Sequence, residues 1–450
     1  MEQKRYLSFP QKLAYGTGDL GSNFFYMMVT SFTLIYLTDI IGLNPAIVGT
    51  IIMVSKFFDG ITDVFFGNLI DRTKSKMGKA RPWMFFSGFP LALSMILIFA
   101  IPKSMGENAQ YIWFFVFYTC ANALFYTANN ISYATLSALI TKNDAERVSL
   151  GSFRYIFAVL ASIIVSSITV VFVNALGGGA NGWRIAAIIY AVIFLIFNSI
   201  ASLSCKEIKE DHDVIANKKS STENVSFLTL LKAVFTNKYY LLLLGVYLFM
   251  YTNTNLATSI GVYYFQYIIG NPALMGVVSM ASLVIIVGLI FNPALVKKFG
   301  IYKVNLVSYI ITTILTAVIM IFTYTVNLGG LVALSFIRSV TMAPLMGSLN
   351  AIVAAVARNS YLKTGKHTEG MMFSCSSIGM KIGGGVGAGL AGWLLAAAGY
   401  VGTAEVQTPE VLNMIKFIYG AIPLILTVLI TVCLIFMKVE EENATLEKAA

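Results

Sequence analysis

The sequence holds little of what soluble chemistry uses. Among its 450 residues there are four cysteines and two histidines. Cys120, Cys205, Cys375 and Cys433 show no paired spacing, so no disulfide framework or zinc motif is readable. His212 and His367 fall in polar stretches. Metal, haem, Ser/His and Cys/His chemistry therefore have almost no material to work with, and no cofactor is expected. Charge is also scarce: 12% of residues are charged, against roughly 25% in a soluble domain. What the chain does have is 57% hydrophobic residues. Such a chain cannot cover a water-exposed surface. That excludes a soluble enzyme, a disordered scaffold and a nucleic-acid binder, despite a net charge of +10. No cleavable signal peptide is expected, because Met1 to Lys12 is polar and the first apolar run is long. The expected class is an all-α polytopic membrane protein with the lipid bilayer as a partner.

A spanning helix needs about 20 mostly apolar residues. Twelve stretches qualify: Tyr15–Leu37, Pro45–Ile70, Trp83–Ile101, Tyr111–Leu139, Val148–Leu176, Trp183–Leu203, Tyr240–Ile269, Leu274–Val296, Val304–Thr323, Leu328–Val353, Gly370–Ala398 and Val411–Met437. With the N-terminus inside, 24 of the 31 lysines and arginines fall in cytoplasmic segments, two in outer loops and five within helices. That asymmetry predicts a multi-pass protein of the cell membrane with both termini in the cytoplasm. It also accounts for the basic balance without a nucleic-acid partner.

The longest polar segment, Ser204 to Lys238, divides six spans from six. The expected organisation is a six-helix bundle over 1–204, a cytoplasmic linker over 205–238 and a second six-helix bundle over 239–450. A short repeat supports duplication: Asn44-Pro45-Ala46-Ile47-Val48-Gly49 precedes the second span, and Asn271-Pro272-Ala273-Leu274-Met275-Gly276 precedes the eighth, 227 residues later. In each, Asn stands where an N-cap belongs and Pro in the first turn. Two six-helix halves in parallel repeat describe the major facilitator fold.

The same offset carries Lys56, Asp59 and Asp63 onto Leu283, Ile286 and Ile290. The fold therefore does not require those charges. Asp59 and Asp63 are four residues apart and share a helix face with Lys56. Asp59 and Lys381 each lie about 18 Å along their helices from the cytoplasmic end. An ionised group there costs at least ~2.5–3.5 kcal/mol. Two close carboxylates do not both stay ionised without a cation nearby. A carboxylate pair with competing lysines reads as a coupling-ion site for Na⁺ or H⁺, with Na⁺ held, if used, by Asp59 and Asp63. The alternative is a static salt-bridge network that specifies packing; midplane depth and the missing twin weigh against it. Asp19 and Arg154 are embedded too, each read as near the inner end of its helix, where two readings stay open: pairing or snorkelling. Asp71 and Arg72, in the loop after the second span, fit a gating role. Tyr26, Tyr133, Asn350, Ser374 and Ser377 are candidate cargo contacts, as ring faces for a sugar or as hydrogen-bonding groups.

Tyr15-Gly16-Thr17-Gly18-Asp19, Tyr36-Leu37-Thr38-Asp39, Phe58-Asp59-Gly60-Ile61-Thr62-Asp63, Gly78-Lys79-Ala80-Arg81-Pro82-Trp83 and Lys381-Ile382-Gly383-Gly384-Gly385 with Gly392-Trp393 resemble the glycoside–pentoside–hexuronide:cation symporter family. The resemblance runs along nearly the whole chain. It implies a cation site at Asp59, Asp63 and Thr127 with Lys381 beside them, Lys56 in place of the family's helix-2 arginine, and Thr62 as the polar residue before the second aspartate. It implies a sugar site at Asn23, Asn130, Tyr126 and Arg154. Galactoside members carry aspartates at the positions of Asn23 and Asn130, and a tryptophan at that of Ala134. Loss of those carboxylates beside Arg154 makes an acidic sugar easier to admit. The loop near Arg358, Asn359 and Ser360 also departs from the family pattern.

The expected function is a secondary active symporter that imports a sugar, glycoside or hexuronide with Na⁺ or H⁺ by alternating access. It is expected to act as a monomer. Two alternatives stay open: the same fold carrying an amphipathic lipid-like solute, or a transporter-derived sensor.

Overall fold

The computed structural model describes residues 5–141, 143–208, 236–364, 369–404 and 406–449, and contains no strand among them. The chain is a succession of long helices. They are α1 (Phe9–Ile35), α2 (Pro45–Arg72), α3 (Arg81–Ile98), α4 (Glu107–Thr119, resumed at Thr127–Leu139), α5 (Asp144–Ala175) and α6 (Gly179–Ser204). After the linker come α7 (Lys238–Tyr263), α8 (Ala281–Phe299, entered through Pro272–Leu274 and Met275–Ser279), α9 (Ile301–Tyr324), α10 (Leu328–Thr364), α11 (Glu369–Ala397), α12 (Pro409–Lys416, resumed at Ile422–Phe436) and α13 (Val439–Ala449). Each of the twelve expected spans coincides with one of α1 to α12. Among the described residues, ten helical stretches are long and apolar enough to cross a membrane. The other two, α2 and α7, are 28 and 26 residues long, but carry polar residues in their middles: Lys56, Asp59 and Asp63 on α2, and Thr252, Asn253, Thr254 and Asn255 on α7.

The fragment repeat has a structural counterpart. Asn44 Oδ1 accepts the Ala46 amide at 2.9 Å, and Asn271 Oδ1 accepts the Ala273 amide at 3.1 Å. Each cap satisfies an N–H that the helix itself cannot pair. Each is preceded by a π-helical turn, Tyr36–Ile41 after α1 and Tyr264–Ile268 after α7. Each π turn then closes on a left-handed glycine, Gly42 (φ 89°) and Gly270 (φ 77°).

The helices gather into two compact units. The first comprises Met1–Ile208, Asn255–Met280 and Gly385–Tyr419; the second comprises Lys209–Thr254, Ala281–Gly384 and Gly420–Ala450. In the first unit α1 and α4 are locked by a reciprocal pair. Tyr15 donates its hydroxyl to the Tyr133 carbonyl (2.8 Å), and Tyr133 donates to that of Tyr15 (2.7 Å). The end of α11 lies close on α2, where a Cβ at Gly392 would stand 2.2 Å from the Pro45 carbonyl oxygen. Only a residue without a side chain lets two backbones approach this way. Trp393 fixes the contact by donating its indole N–H to Thr50 Oγ1 at 2.9 Å.

The second unit has its own core, built on Tyr240, Tyr309, Val353, Val356 and Ile430. Here α10 runs eleven residues beyond its expected end at Val353. The extension is covered by α13, which lies beyond the last expected span. Arg358 pairs with Glu447 at 2.6 Å, Lys363 pairs with Glu442, and the buried Asn359 amide donates to Asn443 Oδ1 at 2.9 Å. The apolar run ends at Ala357, before Arg358, while pairing with an acidic partner helix carries the backbone further. Most of the expected linker, with His212, lies outside the described residues, as does His367.

Candidate functional site

The first unit brings together charged and polar side chains from α1, α2, α4 and α5. Helix α4 is interrupted by a π turn, Cys120–Tyr126. An extra residue in a turn rotates the side chains beyond it, and such bulges concentrate at functional positions. Thr127 is the first residue after it. Its hydroxyl lies 3.0 Å from the Asn122 carbonyl, five residues back, and 2.5 Å from Asp59 Oδ1 on α2. Thr127 is buried, and Asp59 sits 13 residues from the Arg72 end of its helix, about 20 Å along it. Lys56, one turn before Asp59, holds its ammonium 5.8 Å from the Tyr26 ring. Tyr26 in turn stacks on Tyr126 (6.0 Å), and Tyr126 on Phe25 (5.5 Å).

A second cluster stands on α1, α4 and α5. Arg154 Nε donates to Asp19 Oδ2 at 2.5 Å. The guanidinium also lies 4.2 Å from the centre of the Tyr133 ring. Asp19 is ten residues into α1 and Arg154 ten residues into α5, so each lies about 15 Å along its helix. Both lie in the first half of their helices, and of the two open readings, pairing or snorkelling, the structure takes pairing. The pair is not sealed: side-chain exposure is 13% for Asp19 and 25% for Arg154.

The other expected residues separate by what they touch. Asn23 turns its amide back on its own helix, donating to the Asp19 carbonyl at 2.8 Å. Thr62 does likewise, with its hydroxyl 3.1 Å from the Asp59 carbonyl. Tyr133 is fully buried and its hydroxyl is committed to the Tyr15 carbonyl, so it offers Arg154 a ring face and has no hydroxyl to spare for a cargo. Asn130 is exposed, while its neighbour Asn129 is buried and bonds the Met84 carbonyl (2.7 Å) and Asn198 (3.1 Å). Asp63 is partly buried on the Asp59 face and Arg72 is exposed. Lys381, Ser377 and Asn350 belong to the second unit. The side chains of Asp71 and Ser374 lie outside the described set.

Three carboxylates absent from the expected site carry much of the polar architecture. Asp39, on the first π turn, accepts from Tyr267 (2.5 Å), Tyr400 (2.5 Å) and Thr38 (2.7 Å), and Thr38 is 3.0 Å from the Tyr263 hydroxyl. Its Tyr36-Leu37-Thr38-Asp39 motif was visible in the sequence. Glu207 caps α3 by accepting the Lys79, Ala80 and Arg81 amides at 2.7–3.0 Å, and Arg81 reaches the Ser202 carbonyl at 2.7 Å. An anion at a helix N-terminus is favoured by the unpaired amides and the dipole. Glu146, before the apolar part of α5, accepts the Tyr6 and Leu7 amides at 3.2 Å, the Thr141 hydroxyl at 2.6 Å, and Lys12 at 3.3 Å. Burial acts to raise its pKa, but the bonds from Thr141, Leu7, Tyr6 and Lys12 outweigh it and hold the carboxyl below its ordinary value.

Long apolar helices whose middles carry a hydroxyl-bound aspartate and an aspartate–arginine pair define a membrane transporter. The fold is that of the major facilitators: a bacterial homologue of the human lysosomal transporter Spinster superimposes with a TM-score of 0.68 at 12% identity, over 96% of this chain and 97% of that one. The chain belongs to the MFS/sugar transport protein family, whose profile matches residues 14–441. Members of that family are membrane transporters and not enzymes. The chain is 27% identical to the isoprimeverose transporter of Lactiplantibacillus pentosus, over 97% of this chain and 90% of that protein. It is 25% identical to the putative glycoside/cation symporter YagG of Escherichia coli (strain K12), over 93% of this chain and 90% of that protein.

Proposed function

We propose that the protein is a secondary active symporter of the cell membrane that imports a sugar or glycoside with Na⁺ or H⁺. In this reading it works as a monomer of two six-helix halves, 1–204 and 239–450, with both termini in the cytoplasm. The observation that carries coupling is the 2.5 Å contact between Thr127 Oγ1 and Asp59, with Asp63 one turn away on the same face. Two carboxylates and a hydroxyl offer hard oxygen ligands to Na⁺, or a proton acceptor to H⁺. Thr62 adds a hydroxyl on that face, and Lys56 and Lys381 supply fixed cations that compete with the mobile one. Glycoside cargo is supported by the family's sugar-transport character and by the substrates named for the two relatives. Asn23, Asn130, Tyr26, Tyr126, Arg154 and Ser377 are the proposed cargo contacts.

Reconstituted protein tests this reading. Asp59→Cys abolishes accumulation of a labelled glycoside against its gradient while leaving downhill exchange, because cargo contacts lie elsewhere. An Asp59→Asn/Asp63→Asn protein that still concentrates cargo would refute the assignment.

A further inference from the structure

The Asp19–Arg154 pair bears on the charge of the cargo. Arg154 Nη2 stands 3.5 Å from Asp19 Oδ1, a weak contact, and Oδ1 has no nearer partner among the described residues. Besides Asp19, the guanidinium meets the face of the Tyr133 ring and lies near the Tyr15 hydroxyl, whose proton is committed to a carbonyl. With five N–H donors, it keeps donor capacity beyond its bonds to Asp19. The pair therefore presents an acceptor beside a donor, both partly exposed, about 15 Å into the helices. Neighbouring hydroxyls of a sugar offer the complementary pattern, since each hydroxyl donates once and accepts. One turn along α1, Asn23 is held by the backbone. The carboxylate of this face is thus at 19 and not at 23.

We infer that Asp19 is a specificity-determining residue: by neutralising Arg154 while keeping acceptor capacity on Oδ1, it selects a neutral sugar and excludes a sugar acid. This rests on the transport reading above and narrows it. An acid cargo would have to displace Asp19 from Arg154 and then lie beside the displaced carboxylate. Like charges in a partly desolvated site repel far more strongly than in water, and rejection by such repulsion is a general route to specificity. The same pairing removes the reason for expecting acidic cargo, which took Arg154 as an uncompensated cation.

The test uses full-length protein in nanodiscs and matched probes, methyl glucoside with methyl glucuronide and methyl galactoside with methyl galacturonide, titrated calorimetrically. Wild type is expected to bind at least one neutral probe tenfold or more tighter than its acid. Asp19→Asn weakens the neutral probe and moves the ratio at least tenfold toward the acid, and Asp19→Glu restores the preference. A pair that serves packing alone would change both affinities by one factor or neither, and that result overturns the inference, as does a wild type that prefers the acid. If Asp19→Asn does not fold, Asp19→Asn/Arg154→Gln leaves no unpaired charge. It should lose neutral binding without gaining the acid, and wild-type affinity in that variant also overturns the inference. Accumulation of labelled cargo by wild-type proteoliposomes separates the two claims. Uptake with an unmoved ratio removes only the role of Asp19, whereas no binding and no uptake of any probe removes both readings.

Discussion

Removing the Thr127 hydroxyl asks which ion drives transport. In the structure that hydroxyl lies 2.5 Å from Asp59 Oδ1, within the range of charge-assisted hydrogen bonds. The Asn122 carbonyl of the π turn, 3.0 Å away, competes for the same proton at the longer distance. A bond to a charged group contributes about 1.5–3 kcal/mol, which corresponds to roughly 10- to 150-fold in an equilibrium constant. If Na⁺ is the coupling ion, Thr127→Ala removes an oxygen from its shell and unfixes the carboxylate, so half-maximal Na⁺ should rise by about that factor. If H⁺ is the coupling ion, the variant needs no second oxygen, and uptake driven by a pH gradient should persist. Thr127→Ser keeps the hydroxyl and should behave as wild type in either case. The assay is uptake of labelled glycoside into proteoliposomes across a Na⁺ series at fixed pH, and across a pH series without Na⁺. Identical ion dependence for wild type, Ala and Ser variants under both drives would show that the Asp59–Thr127 contact is not part of the coupling site.

Lys381→Val should alter ion dependence more than cargo choice, read as half-maximal Na⁺ or proton drive against a probe panel; a changed panel ranking with normal ion dependence would assign Lys381 to the cargo instead. Glu146, held below the ordinary carboxylate value, contributes stability that is present above its unfolded pKa of about 4.3 and is lost as pH falls through the lower folded value. The melting temperature of Glu146→Gln should therefore lie below that of wild type at neutral pH, with the gap closing in acid; a gap that does not change with pH would sink the ion-pair account. Lys56→Leu/Asp59→Ile/Asp63→Ile should fold with a melting temperature at or above wild type, because replacing buried charges together with apolar groups is often neutral or stabilising, and should show no uphill accumulation.

Most of the fold was legible in the sequence, because spans are set by hydropathy and caps by local chemistry. All twelve apolar stretches became helices, and both Asn-Pro starts became capped ones. The π turns were not legible. They depend on one extra residue being accommodated in a helix by tertiary packing, and nothing in Cys120–Tyr126 differs in composition from an α-helical run. Since Thr127 takes its place from that turn, the resemblance pointed to Thr127 before any spacing argument did. The pairing of Asp19 with Arg154 was open for a related reason: two residues 135 apart meet only once α1 and α5 pack. Glu146 and Glu207 left no signal, as an acidic residue in a polar loop reads like any other until the amides it accepts are known. Asp39 was within a quoted motif, but its tyrosine partners lie more than 200 residues away.

The two copies of the capped helix start separate what the fold needs from what the function needs. Both share the Asn cap, the proline in the first turn and the preceding π turn, so these features belong to the architecture. Past the cap the copies diverge in chemistry. Lys56, Asp59 and Asp63 are partly buried, while Leu283 and Ile290 are exposed at 38% and 68%. An exposed aliphatic on a spanning helix is at rest against lipid tails. An ionised group at the same station is not, and it persists only where oxygen or nitrogen partners meet it. Asp59 has such a partner in Thr127, the first residue after the π turn of α4. The second copy thus exposes Leu283 and Ile290 at stations where the first carries charges, one of which meets a hydroxyl. A static network would need its charges balanced once and for all. A carboxylate pair with a hydroxyl beside it is instead suited to gain and lose a cation, which is the step the proposed symport would repeat in each cycle.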